Sequence, residues 1–392
     1  MKRILIFSLA YYPSNVSGAE SAIKDITDRI EPSDIEFHLI TLLFDKAAPR
    51  EERIGNVQVY RVGFGGVYLS KILFIPLAAL KARSLHEKLH FDAVWAMMTY
   101  MIMPVVLSKM IGLRAPHILS LQDGDPYEKV FERWFILPFV PILDYGFRTA
   151  TIVQVISAHL AEWPPRRGYK GDIEIIYDGA NPRDLKEGTV SVQEVEELKK
   201  KLGKKQGDIY LVNTSRLVYQ KGNDDVIRAL PFLPENIHFL LVGGGPDESM
   251  LKDLVKELGL GERVIFTGQV DRSEVTKYRK AGDIFICPSR SEGLGHAMLS
   301  AMASRLPVVT TQEGGLAEFI FDEKHNPDKQ VTAWVVDKNN SKQIAEAVKD
   351  IIAHPDKVKE VTQNAREMVL ERFDWDKIAI QMREKVFGAV LS

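Results

Sequence analysis

The chain holds one cysteine, Cys287, among 392 residues. A single thiol excludes an intramolecular disulfide and with it any fold stapled by bridges; it suits a reducing compartment. Cys and His never recur at the spacings that hold a structural or catalytic metal. Neither sign of charge dominates, because 51 Lys and Arg face 53 Asp and Glu for a net charge of −2. That balance argues against a general nucleic-acid binder. The longest uncharged run, Ala93 to Ser108, contains Pro104 and is short for a membrane span. The opening MKRILIFSLAYYP has a brief apolar run with no cleavage pattern after it, so it reads as a first buried strand and not as a leader. A cytoplasmic protein is expected.

What is present is a chain longer than one core usually needs, so two domains are expected. Apolar strand-like runs alternate with helix-period segments from end to end. In the first half strands are expected near 3–8, 36–43, 57–62, 92–97, 117–121, 151–156 and 173–177, with a helix starting near Gly18. In the second half they are expected near 209–214, 237–242, 264–267, 284–287, 307–310 and 332–336, with helices near 222–231, 247–258, 271–280, 295–304 and 341–353. Such alternation implies α/β architecture with two doubly wound parallel sheets. The turn-rich Asp178-Gly179-Ala180-Asn181-Pro182 marks the boundary, giving domains 1–182 and 183–370, with a helical segment 371–392 to follow.

Residues 287–318 read CPSRSEGLGHAMLSAMASRLPVVTTQEGGLAE and are the most informative part of the chain. Ile284 to Cys287 is a strand end. The turn Glu292-Gly293-Leu294-Gly295 exposes backbone N–H groups beside a carboxylate, at the start of a helix from about His296 to Ser304. Free amides at a helix start suit phosphorylated or polyhydroxylated ligands, and Glu292 is placed to accept hydrogen bonds from sugar hydroxyls.

This segment resembles the donor-site signature of the retaining glycosyltransferases of GT-B fold, in particular glycosyltransferase family 4 (glycosyl transferases group 1). Pro288, Ser289, Glu292, Gly293, Gly295, Ala301, Met302, Ala303, Pro307, Val308, Val309, Gly314, Gly315 and Glu318 fall in register with it. Two positions depart: Ser300 stands where the family has a second Glu, and Arg305 where it has Gly. The resemblance spans nearly the whole chain and is sharpest from 209 to 340. It implies two Rossmann-like domains facing a cleft, the first binding the acceptor and the second the nucleotide sugar, with the last helix crossing back to the first domain. It gives Glu292 the donor sugar and Ser300, with a shorter and uncharged group, the place of the ribose ligand.

Arg216 ends a strand in LVNTSRLVYQKG and Lys221 follows just before Gly222. Two cations at a strand C-terminus neutralise a leaving diphosphate; the plain alternative is two surface cations. Gly243-Gly244 follows a strand and Thr267-Gly268 another; by resemblance both line the nucleotide pocket, as does the turn with Leu294. Ser17-Gly18-Ala19-Glu20 resembles the family's turn toward diphosphate and acceptor, matching at Gly18. Gln122 or Asp123 falls where the family has a His near the reaction centre, and either would meet an acceptor hydroxyl; an Asx turn is the other reading. The triplets Asp123-Gly124-Asp125 and Asp374-Trp375-Asp376 are read as chance matches to metal-binding triplets. No metal and no cofactor beyond the nucleotide sugar is expected.

Segments 64–90 and 131–148 combine aromatic, aliphatic and basic residues. They predict contact with an anionic membrane surface through Tyr68, Phe74, Trp134 and Phe135, helped by Lys71, Lys81, Arg83 and Lys88. The methionines Met97, Met98, Met101, Met103 and Met110 are expected in the core. The sequence thus reads as a metal-independent retaining glycosyltransferase that carries a hexose-type sugar to a lipid-linked glycan or glycolipid. A non-catalytic sugar-binding subunit and a nucleotide-sugar epimerase or phosphorylase are the alternatives.

Overall fold

The computed structural model describes residues 1–13, 17–186 and 188–391. It divides into two units, Met1–Asp178 with Trp375–Ser392, and Gly179–Asp374. In the first unit the strands are β1 (Lys2–Phe7), β2 (Ile35–Leu42), β3 (Glu51–Ile54), β4 (Val57–Val62), β5 (Ala93–Met97), β6 (His117–Leu121), β7 (Ile152–Val155) and β8 (Ile173–Ile175). They form one sheet in the order β3-β4-β2-β1-β5-β6-β7-β8. In the second unit β9 (Ile209–Thr214), β10 (Ile237–Val242), β11 (Val264–Phe266), β12 (Ile284–Cys287), β13 (Val308–Thr310) and β14 (Trp334–Val335) line up as β11-β10-β9-β12-β13-β14.

Every expected strand is present, and all pair in parallel. The exception is β3, which the sequence reading passed over and which pairs antiparallel with β4, from Glu51 opposite Tyr60 to Ile54 opposite Val57. Its sequence EERI is polar because it is an edge strand with Glu51 and Arg53 exposed. Gly55, at φ 57°, makes the hairpin turn that a β-carbon would strain.

Burial on both faces explains the continuous apolar strands such as ILIF and FLLV. The first core gathers Ile4, Ile6, Phe37, Trp95 and Ile118 with Trp375, Ile378, Met382 and Phe387 from the chain's far end. Phe387 lies 5.7 Å from the Phe37 ring and 5.2 Å from the Trp95 ring. The second core is separate and is built on Leu211, Phe239, Leu241, Ile286 and Val309.

Helix Tyr68–Leu89 and the segment from Trp134 to Tyr145 carry exposed apolar groups. Tyr68 is 77% and Trp134 82% accessible, and Leu69, Ile72, Phe135, Leu137 and Phe139 are also exposed. Phe74, expected at the surface, is fully buried on the inner side of its helix. Lys81 and Arg83, expected to help at an anionic membrane surface, pair with Glu51 and Glu87 at 2.7 Å each. Met97, Met101 and Met103 lie in the core as expected, but Met110 ends its helix in solvent at 77% accessible. No helix among the described residues is long and apolar enough to cross a membrane.

Candidate functional site

In the second sheet β9 neighbours β10 on one side and β12 on the other, so chain connections leave it in opposite directions. The crevice at the carboxyl ends of two such strands is where open α/β sheets bind ligands. Beyond β9 runs Ser215 to Lys221, and beyond β12 runs Pro288 to Glu292. The two loops touch. Gly222, at φ 63°, brings its backbone so close to Pro288 that a β-carbon would overlap the Pro288 carbonyl oxygen.

Lys221 and Glu292 meet there as a short Nζ–Oε1 ion pair, with Glu292 buried. The Ser289 hydroxyl donates to the same Oε1 at 2.9 Å. Burial alone would lower the Lys221 ammonium, but the adjoining Glu292 carboxylate and Cys287 outweigh it and the net shift is upward. The loop rests on fixed backbone. Thr310 and Thr311 hydroxyls donate to the carbonyls of Cys287 and Ser289 at 2.8 and 2.6 Å. Gly315 N–H donates to Glu292 O at 2.9 Å, and a β-carbon on Gly315 would overlap the Gly293 carbonyl. Leu294 is buried, and Gly295, at φ 105°, opens helix His296–Ala303. Cys287 itself is buried with Sγ 3.3 Å from Ser289 Oγ, and burial pushes its thiol up.

The structure brings Lys221 and Glu292 into contact but pairs Arg216 with neither. Arg216 is exposed, and its guanidinium has no partner among the described residues. Its loop is held by Leu217 N–H on Gly244 O at 3.0 Å, while Gly243 N–H donates to Gly268 O at 3.0 Å. The Thr267 hydroxyl donates to Gly268 O at 2.9 Å. These backbone bonds set the loops after β9, β10 and β11 side by side.

In the first unit Gly18 opens helix Gly18–Thr27 behind a Ser17–Glu20 capping box. Glu20 Oε2 accepts the Ser17 amide at 2.6 Å, which commits that carboxylate to the helix end. Asp123, just past β6, is buried and accepts the Thr99 hydroxyl at 2.9 Å. Burial pushes its carboxyl up to about 6, against the Thr99 hydrogen bonds. Gln122 donates from Nε2 to Asp178 Oδ1 at 3.0 Å, and its Oε1 is a buried acceptor without a donor among the described residues. No group of three or more His, Cys, Asp or Glu among the described residues is placed to hold a metal.

Two residues went unnoticed in the sequence. Thr99 is one, since nothing in Met-Met-Thr-Tyr signals a partner 24 residues on. Arg290 is the other. It sits inside the Pro-Ser-x-x-Glu turn and reaches Asp224 and Asp225, whose adjacent carboxylates were a visible but unplaced signal.

Residues 194–368 match the family model described as Glycosyl transferases group 1. The chain carries a group 1 glycosyltransferase domain. Over 392 residues, 96% of each chain, it is 26% identical to an uncharacterized glycosyltransferase of Methanocaldococcus jannaschii. It is 31% identical over 188 residues to the GDP-mannose-dependent alpha-(1-6)-phosphatidylinositol monomannoside mannosyltransferase of Mycobacterium tuberculosis, covering 45% of this chain and 47% of that one. Sucrose-phosphate synthase from Thermosynechococcus elongatus superposes with a TM-score of 0.83 at 19% identity, covering 99% of this chain and all of that one. The fold of the glycosyltransferase is GT-B, with its two Rossmann-like sheets.

Ser300 is one of the two positions in segment 287–318 where this glycosyltransferase departs from the family signature. It is buried on helix His296–Ala303, and its hydroxyl oxygen accepts the Asn181 amide at 3.1 Å. Ser300→Ala should therefore cost stability, about 1–2 kcal/mol for an amide left without an acceptor, and leave nucleoside diphosphate affinity unchanged. Melting and titration calorimetry read the two separately. Lost affinity at an unchanged melting temperature would give the hydroxyl to the ribose instead.

Proposed function

We propose that this glycosyltransferase moves a hexose from a nucleoside diphosphate sugar, held by the second unit, to a hydroxyl of an acceptor held by the first. Transfer proceeds with retention and without a metal ion. The Lys221–Glu292 pair at the crossing point of the second sheet carries this reading. Breaking the bond from the anomeric carbon to the diphosphate oxygen leaves its electron pair on the diphosphate. Lys221, held protonated by Glu292, and the unpaired Arg216 offset that charge. Glu292 takes donor-sugar hydroxyls, and the amides of Gly293, Leu294 and Gly295 lie beside them. The acceptor oxygen bonds the anomeric carbon on the face the diphosphate leaves, and its proton passes to the departing phosphate. Gly243, Gly244 and Thr267 border the base. Gln122 Oε1 and the Asp123 carboxylate offer acceptor oxygens to an incoming hydroxyl.

A melting series with UDP, GDP, ADP and their sugars tests the reading. One nucleoside diphosphate should raise the melting temperature, and its sugar should be turned over equally with and without EDTA. No shift and no turnover would refute the proposal; loss in EDTA that magnesium or manganese restores would refute metal independence. A sugar-binding subunit without turnover is the second reading, favoured by the engagement of Ser300 with Asn181; it predicts the shift and no release of nucleotide. An epimerase would convert the sugar with no acceptor present.

The acceptor is a lipid-linked glycan or glycolipid. The mannosyltransferase relative is named for a phosphatidylinositol monomannoside, and the exposed apolar groups around Tyr68 and Trp134 supply a surface for a bilayer. Lys71 and Lys88, both exposed, add about 1 kcal/mol per cation at an anionic surface. The enzyme should co-sediment with phosphatidylserine vesicles at low salt and be released by salt, and Trp134→Ala with Phe135→Ala should weaken binding. Absence of binding at low salt, with full activity on a water-soluble acceptor, would make the enzyme independent of membranes.

A further inference from the structure

The two loops that meet at the Lys221–Glu292 pair are pinned by one side chain. Arg290 is nearly buried and spends all five of its N–H donors. Nη1 and Nη2 make a fork on Asp224 Oδ1 and Oδ2 at 2.8 and 2.9 Å. Nη2 also reaches Asp225 Oδ2 at 2.6 Å, Nη1 reaches Tyr219 O at 2.8 Å, and Nε reaches Asn339 Oδ1 at 2.6 Å. The guanidinium lies 4.3 Å from the centre of the Tyr219 ring, and the Arg290 amide donates to Gln220 O at 2.7 Å.

These partners bracket Lys221. Tyr219 and Gln220 precede it, Asp224 and Asp225 follow, and Glu292 lies two residues beyond Arg290 itself. Each end of the Lys221–Glu292 pair is thus tied through backbone to the same guanidinium. A planar fork is needed, because five donors in fixed directions meet two carboxylates, a carbonyl and an amide oxygen at once. An ammonium has three donors and no plane.

We infer that Arg290 is a positioning residue, which sets the separation and direction of Lys221 and Glu292 without touching the substrate. The inference rests on the reading of that pair as the donor site. It predicts that charge alone cannot replace Arg290. In the full-length enzyme, with GDP-mannose or UDP-glucose as donor, Arg290→Lys should lower kcat/KM about 100-fold, the loss expected when reacting groups shift by about 1 Å. Asp224→Asn, which weakens the fork from the other side, should lower it in the same direction with the melting temperature within two degrees or so of the wild type.

A double-mutant cycle separates positioning from general damage. In a Lys221→Ala background, Arg290→Lys should cost about 10-fold or less, because one of the two groups it positions is gone. A further loss of about 100-fold in that background, or activity of Arg290→Lys within twofold of wild type, overturns the inference. If Lys221→Ala is itself without effect, the donor-site reading falls instead. The crystal structure of Arg290→Lys decides the matter even without turnover. Lys221 Nζ drawn away from Glu292 supports the inference, and an unchanged pair ends it.

Discussion

Lys221→Ala is expected to lower kcat/KM by about 10- to 100-fold, and Glu292→Ala to abolish transfer while the free nucleoside diphosphate still binds. One charge-assisted hydrogen bond to the leaving diphosphate is worth about 1.5–3 kcal/mol, which sets the lower of these losses. Lys221→Ala has a second consequence, because Glu292 is then left buried with only the Ser289 hydroxyl on its Oε1. A buried carboxylate that loses its counter-charge is destabilising, so Lys221→Ala should also lower the melting temperature. Glu292→Ala strands the ammonium instead and removes the hydroxyl acceptor altogether. Steady-state kinetics, a titration of UDP and GDP and a melting curve read all of these. Lys221→Ala within a factor of two of wild type would remove the pair from the chemistry.

The largest expected loss of stability lies at Asp184 and Arg279. Asp184 is wholly buried and Arg279 nearly so, and they form a short ion pair. Asp184 Oδ1 also accepts the Ser304 hydroxyl at 2.7 Å, and Arg279 Nη2 donates to Thr214 Oγ1 at 3.2 Å. Asp184→Ala leaves a guanidinium in the interior with its main partner gone. Breaking a buried pair from one side costs about 3–5 kcal/mol. Urea titration of Asp184→Ala should show that loss in the unfolding of the second unit. A change under about 1 kcal/mol would mean that Arg279 finds water or another acceptor on removal of the carboxylate. The same variant should slow transfer, since Thr214 is the last residue of β9 and leads into the loop of Arg216 and Lys221.

Much of the fold was legible because burial on both faces leaves a plain trace. IYLVNT and IHFLLV can be little else between helix-period segments, and the glycosyltransferase signature after Cys287 named the fold. The hairpin strand EERI left no such trace, because an edge strand faces water and its residues are those of a loop. Facing within the helix Tyr68–Leu89 was also hidden. Its apolar residues run around the cylinder and Pro76 interrupts it, so Phe74 looked no different from Tyr68. For the site, residue types were legible and partners were not. Lys221 and Glu292 were read as separate ligands of diphosphate and sugar, yet they are 71 residues apart along the chain and the distance between them depends on β9 lying beside β12. Arg290 was invisible for the same reason, since it needs Asp224 and Asn339 near at once. Ser300 was read as standing in the place of a ribose ligand, and nothing in its surroundings along the chain showed that its hydroxyl accepts the Asn181 amide.

The core of the first unit has a consequence for the newly made chain. Its sheet is complete once β8 has been synthesised, but Trp375, Ile378, Met382 and Phe387 are the last of its parts to leave the ribosome. Until then Phe37 and Trp95 have no ring above them, and the unit that starts first is finished last. The second unit is one unbroken stretch, Gly179–Asp374, and waits for nothing. A truncation at residue 178 would expose an apolar floor and call for a chaperone, while the same fragment supplied with a peptide of residues 375–391 has what it needs to close.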